Sequence, residues 1–231
     1  MPIYIKTREP KKRIPTNLWA SSLIILHHNM KSYKLNEVTS FRKTKDTYGG
    51  LSNMCAGYPL EINGVTIRTS EALYQACRFP NSPHIQEKII NQKSPMAAKM
   101  VGKPHRQDNN RVDWEDVRVD IMRWCLEVKL EQNMDTFGKL LKSTGNNIVE
   151  LSHKDQFWGT TMDKSDNNIF VGENVLGVLL QELKEKLTQE GPFKSTKPNI
   201  PTFKLYGGEV TIVLTDLGFI LAIPPKQSPI L

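Results

Sequence analysis

In the stretch Thr69-Ser70-Glu71-Ala72-Leu73-Tyr74-Gln75, a carboxylate, a phenol and a carboxamide stand at i, i+3 and i+4. On a helix these three share one face. A carboxylate so placed can stabilise positive charge developing on a bound molecule, or hold a water for attack, with the phenol and the amide as fixed partners. The same glutamate also suits the first turn of any helix, where the dipole favours an acid. From the heptapeptide alone both readings stand.

Two further clusters have chemical content. The loop Lys45-Asp46-Thr47-Tyr48-Gly49-Gly50-Leu51-Ser52-Asn53 joins paired glycines to small polar residues and flanking cations, a composition that can aim backbone amides at phosphate oxygens. It has the spacing of neither the P-loop nor the dinucleotide fingerprint, and an ordinary turn has the same composition. Later come Phe157-Trp158-Gly159, Asp163 and Gly172-Glu173-Asn174-Val175-Leu176-Gly177. Trp158 can offer an aromatic face to a planar base and Asn174 can orient sugar hydroxyls; a core indole and a helix cap are the structural alternatives.

The elements that must carry these residues follow from periodicity and punctuation. Val38–Arg42 reads as a short strand entering the glycine turn. Asn63-Gly64 between Leu60–Ile62 and Val65–Ile67 marks a tight hairpin, giving an antiparallel pair in the N-terminal part of the chain. Thr69 or Ser70 caps a helix over 71–79 that Pro80 stops. Helices follow over 84–91 and 96–102, the latter opened by Ser94-Pro95. The longest period runs from Asp113 to Asn133 through Trp114, Val117, Ile121, Trp124 and Val128, and predicts the central buried helix. A helix over 136–142, a strand over 148–151 and a closing helix over 174–187 complete the set. The fold class expected is mainly α (α+β): a compact helical domain with small antiparallel β elements near its N-terminus and a short C-terminal β appendage.

Composition is that of a globular protein, with 39% hydrophobic and 24% charged residues among 231. Three regions are expected: a basic N-terminal extension over 1–37, a catalytic domain over 38–190, and a Pro-rich linker with a β appendage over 191–231. Strands at 203–205, 210–214 and 219–223 would form the appendage. Residues 1–29, with Lys6, Arg8, Lys11, Lys12 and Arg13, read either as a dispensable extension ahead of Met30 or as an upstream mis-assigned start. The apolar run Leu18–Leu26 falls well short of the ~20 residues that span a bilayer, so no membrane association is expected. Cys55, Cys77 and Cys125 lie far apart with no CxxC spacing, which suggests neither a zinc site nor a disulfide framework and fits a reducing, cytoplasmic setting. The formal net charge of +7 suits a phosphate-bearing ligand or nucleic acid.

The order of the clusters says more than any one of them. Phe41…Tyr48-Gly49…Leu51-Ser52-Asn53, Thr69-Ser70-Glu71…Tyr74-Gln75, Ser94-Pro95-Met96-Ala97-Ala98-Lys99, Trp114…Val117-Arg118…Met122, Phe157-Trp158-Gly159 and Gly172…Asn174…Leu176-Gly177 closely resembles the NADAR family over roughly residues 41–187. That family includes N-glycosidases acting on riboflavin-pathway intermediates and glycohydrolases that remove ADP-ribose from guanine. The resemblance places the family's active-site glutamate at Glu71, its aromatic element at Trp158 and Gly159, and its polar loop at Gly49, Ser52 and Asn53. Some members carry an acid directly after Trp-Gly. Here Thr160 stands in that place, and Asp163 is the nearest substitute.

The activity so implied is hydrolysis of a ribosyl C–N bond in a phosphorylated ribosyl or ADP-ribosyl substrate, free or attached to nucleic acid, with no cofactor and no metal. Glu71 and Asp163 are the expected carboxylates. Trp158 stacks on the leaving base, Tyr74, Gln75 and Asn174 contact substrate, and Asn53 with the Gly49 and Gly50 amides and Arg42, Lys45 or Lys99 hold the phosphate. A second route uses Lys45 or Lys99 as an amine nucleophile through a Schiff base. The rival readings are a non-catalytic ADP-ribose or nucleotide-binding module and a basic nucleic-acid adaptor. A protein partner is not indicated by the sequence.

Overall fold

The computed structural model describes residues 30–189 and 193–211. The elements, in chain order, are β1 (Lys31–Lys34), β2 (Thr39–Phe41), β3 (Leu60–Ile62), β4 (Val65–Ile67), α1 (Ser70–Ala76), α2 (Pro83–Ile90), α3 (Pro95–Gly102), α4 (Arg106–Asn109), α5 (Trp114–Gln132), α6 (Lys139–Lys142), β5 (Ile148–Glu150), β6 (Thr161–Met162), β7 (Ile169–Gly172), α7 (Val175–Gln189), β8 (Lys204–Leu205) and β9 (Gly208–Glu209). The class is α+β, with helices in the majority and four small sheets among the described residues.

Local chemistry sets most of the boundaries. Asn63 and Gly64 take φ of 52° and 73°, and turn β3 into β4. Thr69 accepts from the Ala72 amide at 3.2 Å and starts α1; Ser94 does the same from Ala97 at 3.1 Å ahead of Pro95 in α3. Each such cap is worth about 1 kcal/mol. The helix expected over 136–142 is instead a π-helical turn over Met134–Gly138 running into α6. Asn133 causes this, because its carbonyl receives the amides of Phe137 and Gly138 together and widens the turn.

α5 is the central helix. Trp114, Ile121, Trp124, Leu126, Val128 and Leu130 along it are almost wholly buried, each contributing about 1.5–3 kcal/mol of apolar burial. α1 packs on α2, α3 and α5, while α7 covers β5. Two pairings were not evident from the sequence. β2 lies parallel to β5, with Phe41 opposite Glu150, and β1, β7 and β6 form an antiparallel sheet. Both bring segments more than a hundred residues apart in sequence into register.

The proline-rich segment runs along the domain rather than standing off it. Phe203 meets Trp124 edge to face at 4.9 Å, and Leu205 and Val210 are buried. Gln86 donates to the Lys204 carbonyl at 2.9 Å and accepts from the Tyr206 amide at 2.8 Å. The appendage is thus the two-residue hairpin β8–β9. Of the strands expected there, 219–223 and most of 210–214 lie outside the described residues, as do the basic run and the apolar piece of residues 1–29. No helix among the described residues is long and apolar enough to cross a membrane.

Candidate functional site

Glu71 sits in the first turn of α1 and is only 3% exposed. Its surroundings are polar. Asn53 Nδ2 donates to Oε2 at 2.5 Å and Gln75 Nε2 donates to Oε1 at 2.9 Å, so each carboxylate oxygen is met by an amide. Gln75 in turn accepts from Arg106 at 3.2 Å. Burial raises the proton affinity of Glu71 above the ordinary carboxylate range, and Lys99, the Gln75 hydrogen bond, Arg106 and Arg78 offset only part of that rise. Two amide donors and three nearby cations make the surroundings of this buried carboxylate, here called the recess, polar rather than a dry core.

The Asn53 side chain is aimed by a loop that the interior holds down. Asn53 O accepts from the Glu71 amide at 3.0 Å and from Ser70 Oγ at 3.2 Å, tying the loop to the helix start. Beneath it lies Lys129 of α5, fully buried, whose Nζ donates to Gly50 O at 2.7 Å and to Ser52 O at 3.0 Å. The rings of Tyr58 and Phe137 face that nitrogen at 4.6 and 4.3 Å, and burial depresses its ammonium to about 7. The glycine pair is required by space. A Cβ on Gly49 would stand 2.4 Å from Lys43 O, and one on Gly50 2.3 Å from Tyr58 Oη.

A second carboxylate, Glu150, closes β5. Its amide donates to Asn174 Oδ1 at 3.1 Å, and its carbonyl accepts from the Thr160 amide at 2.8 Å and the Thr160 hydroxyl at 2.9 Å. The carboxyl itself is pushed up to about 7, chiefly by burial and then by the charges of Asp155 and Glu71, with Lys99 opposing. Glu71 and Glu150 therefore share one electrostatic environment, with Lys99 acting on both.

Aromatic rings wall the same recess. Tyr74, one turn on from Glu71, lies 5.0 Å from Trp114 and meets Trp158 edge to face at 5.7 Å; Phe157 adjoins Trp158 at 5.0 Å. The Trp158 segment is fixed from both ends. Asp155 accepts the Phe157 and Trp158 amides, and the Trp158 carbonyl receives the Leu176 amide at the start of α7. A separate hollow of about 230 Å³, beside Tyr33, Val38 and Ile169, is lined by neither carboxylate.

Comparison with known proteins finds the NADAR domain over residues 40–188. The chain belongs to the NADAR family. It is 35% identical to the N-glycosidase YbiA of Escherichia coli over 153 residues, which is 66% of this chain and 90% of YbiA. The NMR structure of Escherichia coli YbiA matches with a TM-score of 0.54 at 34% identity, covering 66% of this chain and 86% of that one. A riboflavin biosynthesis protein of Vibrio vulnificus is 29% identical over 192 residues, 49% of its own length.

Within this NADAR domain the residues singled out from sequence divide into two groups. Glu71, Asn53, Tyr74, Gln75, Lys99 and Trp158 are brought to the recess. Ser52 and Asn174 are buried beside it with side chains already engaged: Ser52 Oγ accepts from the Met54 amide at 3.1 Å, and Asn174 clamps β5 through Glu150 and, at 2.8 Å, through the Ile148 carbonyl. Gly159 lets the chain pass over Glu150, since a Cβ there would lie 2.8 Å from the Glu150 carbonyl. The Gly49 amide donates to Asp46 O at 2.8 Å, so it has no hydrogen left for a phosphate. Arg42 and Lys45 are exposed, Arg42 against His153. Asp163 caps the β6–β7 turn, accepting the Ser165 amide at 2.7 Å and the Ser165 hydroxyl at 2.5 Å. The carboxylate that accompanies Glu71 is Glu150.

Glu150, Lys129, Arg78 and Arg106 escaped the sequence reading, and Arg118, although part of the ordered motif set, was given no role there. Arg78 had a signal, lying at i+4 from Tyr74 within the helix expected over 71–79. Lys129 had a fainter one, at i+4 from Cys125 on the buried helix that the period predicts.

Proposed function

We propose that this protein hydrolyses the C–N bond between a phosphorylated ribose, free or within ADP-ribose, and a nitrogenous base. The protein is a hydrolase of N-glycosyl compounds. The observation that carries the reading is Glu71, a buried carboxylate held at both oxygens by Asn53 and Gln75 beside the Tyr74–Trp158 aromatic wall. Breaking a ribosyl C–N bond builds positive charge on the sugar, and a fixed anion in a water-poor recess stabilises that charge more strongly than it would in solvent.

The reaction divides between the two acids. As the C1′–N bond breaks, its electron pair leaves with the base, which takes a proton from the Glu150 carboxyl. Water adds to C1′ and gives its proton to Glu71. An acid pushed up to about 7 is suited to donating near neutrality, and a carboxylate held by two amides is suited to accepting. Trp158 stacks on the departing heterocycle. Among the substrates, riboflavin-pathway intermediates are favoured by the names of the Vibrio vulnificus and maize relatives, both riboflavin biosynthesis proteins. ADP-ribosylated guanine is the other substrate of the same bond type.

The test is a substrate panel. Purified protein is incubated with riboflavin-pathway intermediates and with an ADP-ribosylated guanine oligonucleotide, and released base is measured for wild type and Glu71→Ala. Cleavage of at least one substrate by wild type only is expected. Equal cleavage by both proteins, or none by either, refutes the reading.

A further inference from the structure

Three guanidinium groups converge at one end of the recess although like charges repel. Arg78, just beyond α1, lies over Trp114 with its central carbon 4.0 Å from the ring. Arg118 of α5 lies over Phe157 at 3.8 Å, and Arg106, at the start of α4, reaches Gln75. All three are half-buried. The Nε–H groups of Arg78 and Arg106 are buried with no hydrogen-bond partner among the described residues. Burial, then Arg106, lowers the Arg78 guanidinium to about 10, and Arg118 adds to the effect.

The two acids seen to act on these cations, Glu71 and Glu115, do not balance them. Glu115 pairs with Arg118 at 3.1 Å but is largely exposed, while Glu71 already serves Asn53 and Gln75. Lys99 adds a further positive charge from α3. Mutual repulsion and unmet buried donors both oppose folding, and a bound anion relieves both. The rings beneath Arg78 and Arg118 fix the planes of their guanidinium groups, which suits forked hydrogen bonding to phosphate oxygens and loses little freedom on binding.

We propose that Arg78, Arg106 and Arg118 form an anion subsite that grips the phosphate of the ribosyl substrate and so presents C1′ to Glu71. The choice of a ribosyl phosphate rests on the function proposed above; the anion subsite itself rests on the arginines. The subsite does the work that the sequence assigned to Asn53, the Gly49 and Gly50 amides and Arg42, Lys45 or Lys99.

Binding is measured without turnover, by calorimetry with ribose 5-phosphate, ribose and inorganic pyrophosphate as probes. Wild type is expected to bind ribose 5-phosphate and pyrophosphate but not ribose. Arg78→Met and Arg106→Met are each expected to weaken binding at least tenfold, and Lys88→Met, on the exposed face of α2, to leave it unchanged. If Arg78→Met does not fold, Arg106→Met and Arg118→Met decide the matter. Wild-type affinity for ribose 5-phosphate in folded arginine variants, or equal affinity for ribose, overturns the subsite. An inactive protein that still binds through these arginines would sink the Glu71 reading and leave the subsite standing. Full turnover with arginine-independent binding would do the reverse.

Discussion

The backbone amide of Glu150 donates to the side-chain oxygen of Asn174 at 3.1 Å, so the residue that precedes α7 fixes the end of the strand that carries the second carboxylate. Asn174 has a φ of 54°, a left-handed conformation that asparagine tolerates better than most residues. Its amide also donates to Ile148 O at 2.8 Å. Replacing Asn174 by Ala removes both bonds and strains the backbone. We expect a loss of about 2–4 kcal/mol in stability, from two partners left unmet and an unfavourable φ. Chemical denaturation measures it, and an unchanged midpoint would show that the clamp is dispensable.

The proton on Glu150 should be visible in the pH dependence. Its carboxyl is raised above the ordinary carboxylate range to about 7, so the acid form persists into neutral pH and is lost above it. The rate of base release should accordingly fall as pH rises through about 7. Glu150→Gln should lower the rate about 10²–10⁴-fold and flatten that alkaline limb. The same shift links to stability: a raised acid favours the fold below its unfolded pKa, and this contribution is lost as pH rises through the folded value. A wild-type alkaline limb that survives in the Gln variant would remove Glu150 from the chemistry.

Glu71→Gln keeps the shape and loses the charge. Base release should drop by at least about 10²-fold if the anion stabilises the transition state, while ribose 5-phosphate binding changes little. The Gln NH2 would face one of the two donor amides and the cations would lose an anion, so Tm should fall modestly although a buried charge is removed. A fall in Tm with full retention of rate would mean that the carboxylate is architectural.

What the sequence reveals and what it hides divide along physical lines. Thr69, Ser94 and Asn63-Gly64 act within a few residues of themselves, and the elements they start or turn are where local chemistry puts them. α5 was legible because a helix buried along most of its length repeats its apolar residues. β1, β6 and β7 are two to four residues long, and β1 pairs with β7 across most of the domain's sequence, which no local pattern reports. The site divides in the same way. Glu71, Tyr74 and Gln75 share one helix, so their convergence was readable. Glu150 reaches Glu71 only because β5 lies beside β2, and Arg106 and Arg118 come from separate helices. Asp163 was the nearest acid in sequence, yet nearness along the chain gave way to a turn that Ser165 closes.

Lys129 offers a test of how far the loop controls the carboxylate. Lys129→Met keeps the length of the side chain and removes the donor to Gly50 O and Ser52 O. Two buried carbonyls are then unmet at about 1–3 kcal/mol each, offset in part because an ammonium no longer has to be desolvated. The expected result is a lower Tm together with a reduced kcat, since Asn53 loses its fixed aim at Glu71. A variant with lowered Tm but wild-type kcat would show that the loop's anchor and the site are independent.

Removing residues 193–231 bears on the C-terminal segment. Phe193, Phe203, Leu205 and Val210 are each under 10% exposed, and Phe203 covers the Trp124 ring of the central helix. At about 1.5–3 kcal/mol for each large apolar side chain buried, their loss amounts to several kcal/mol even after allowing for a compact unfolded state. The Arg111–Pro201 and Gln86–Lys204 hydrogen bonds go with them, leaving a buried guanidinium and a buried amide short of an acceptor. For a chain of this size we expect Tm to fall on the order of 10 °C or more, with solubility reduced by the uncovered Trp124 face. A truncated protein melting within about 2 °C of the full chain would mean that the segment rests on the domain without stabilising it.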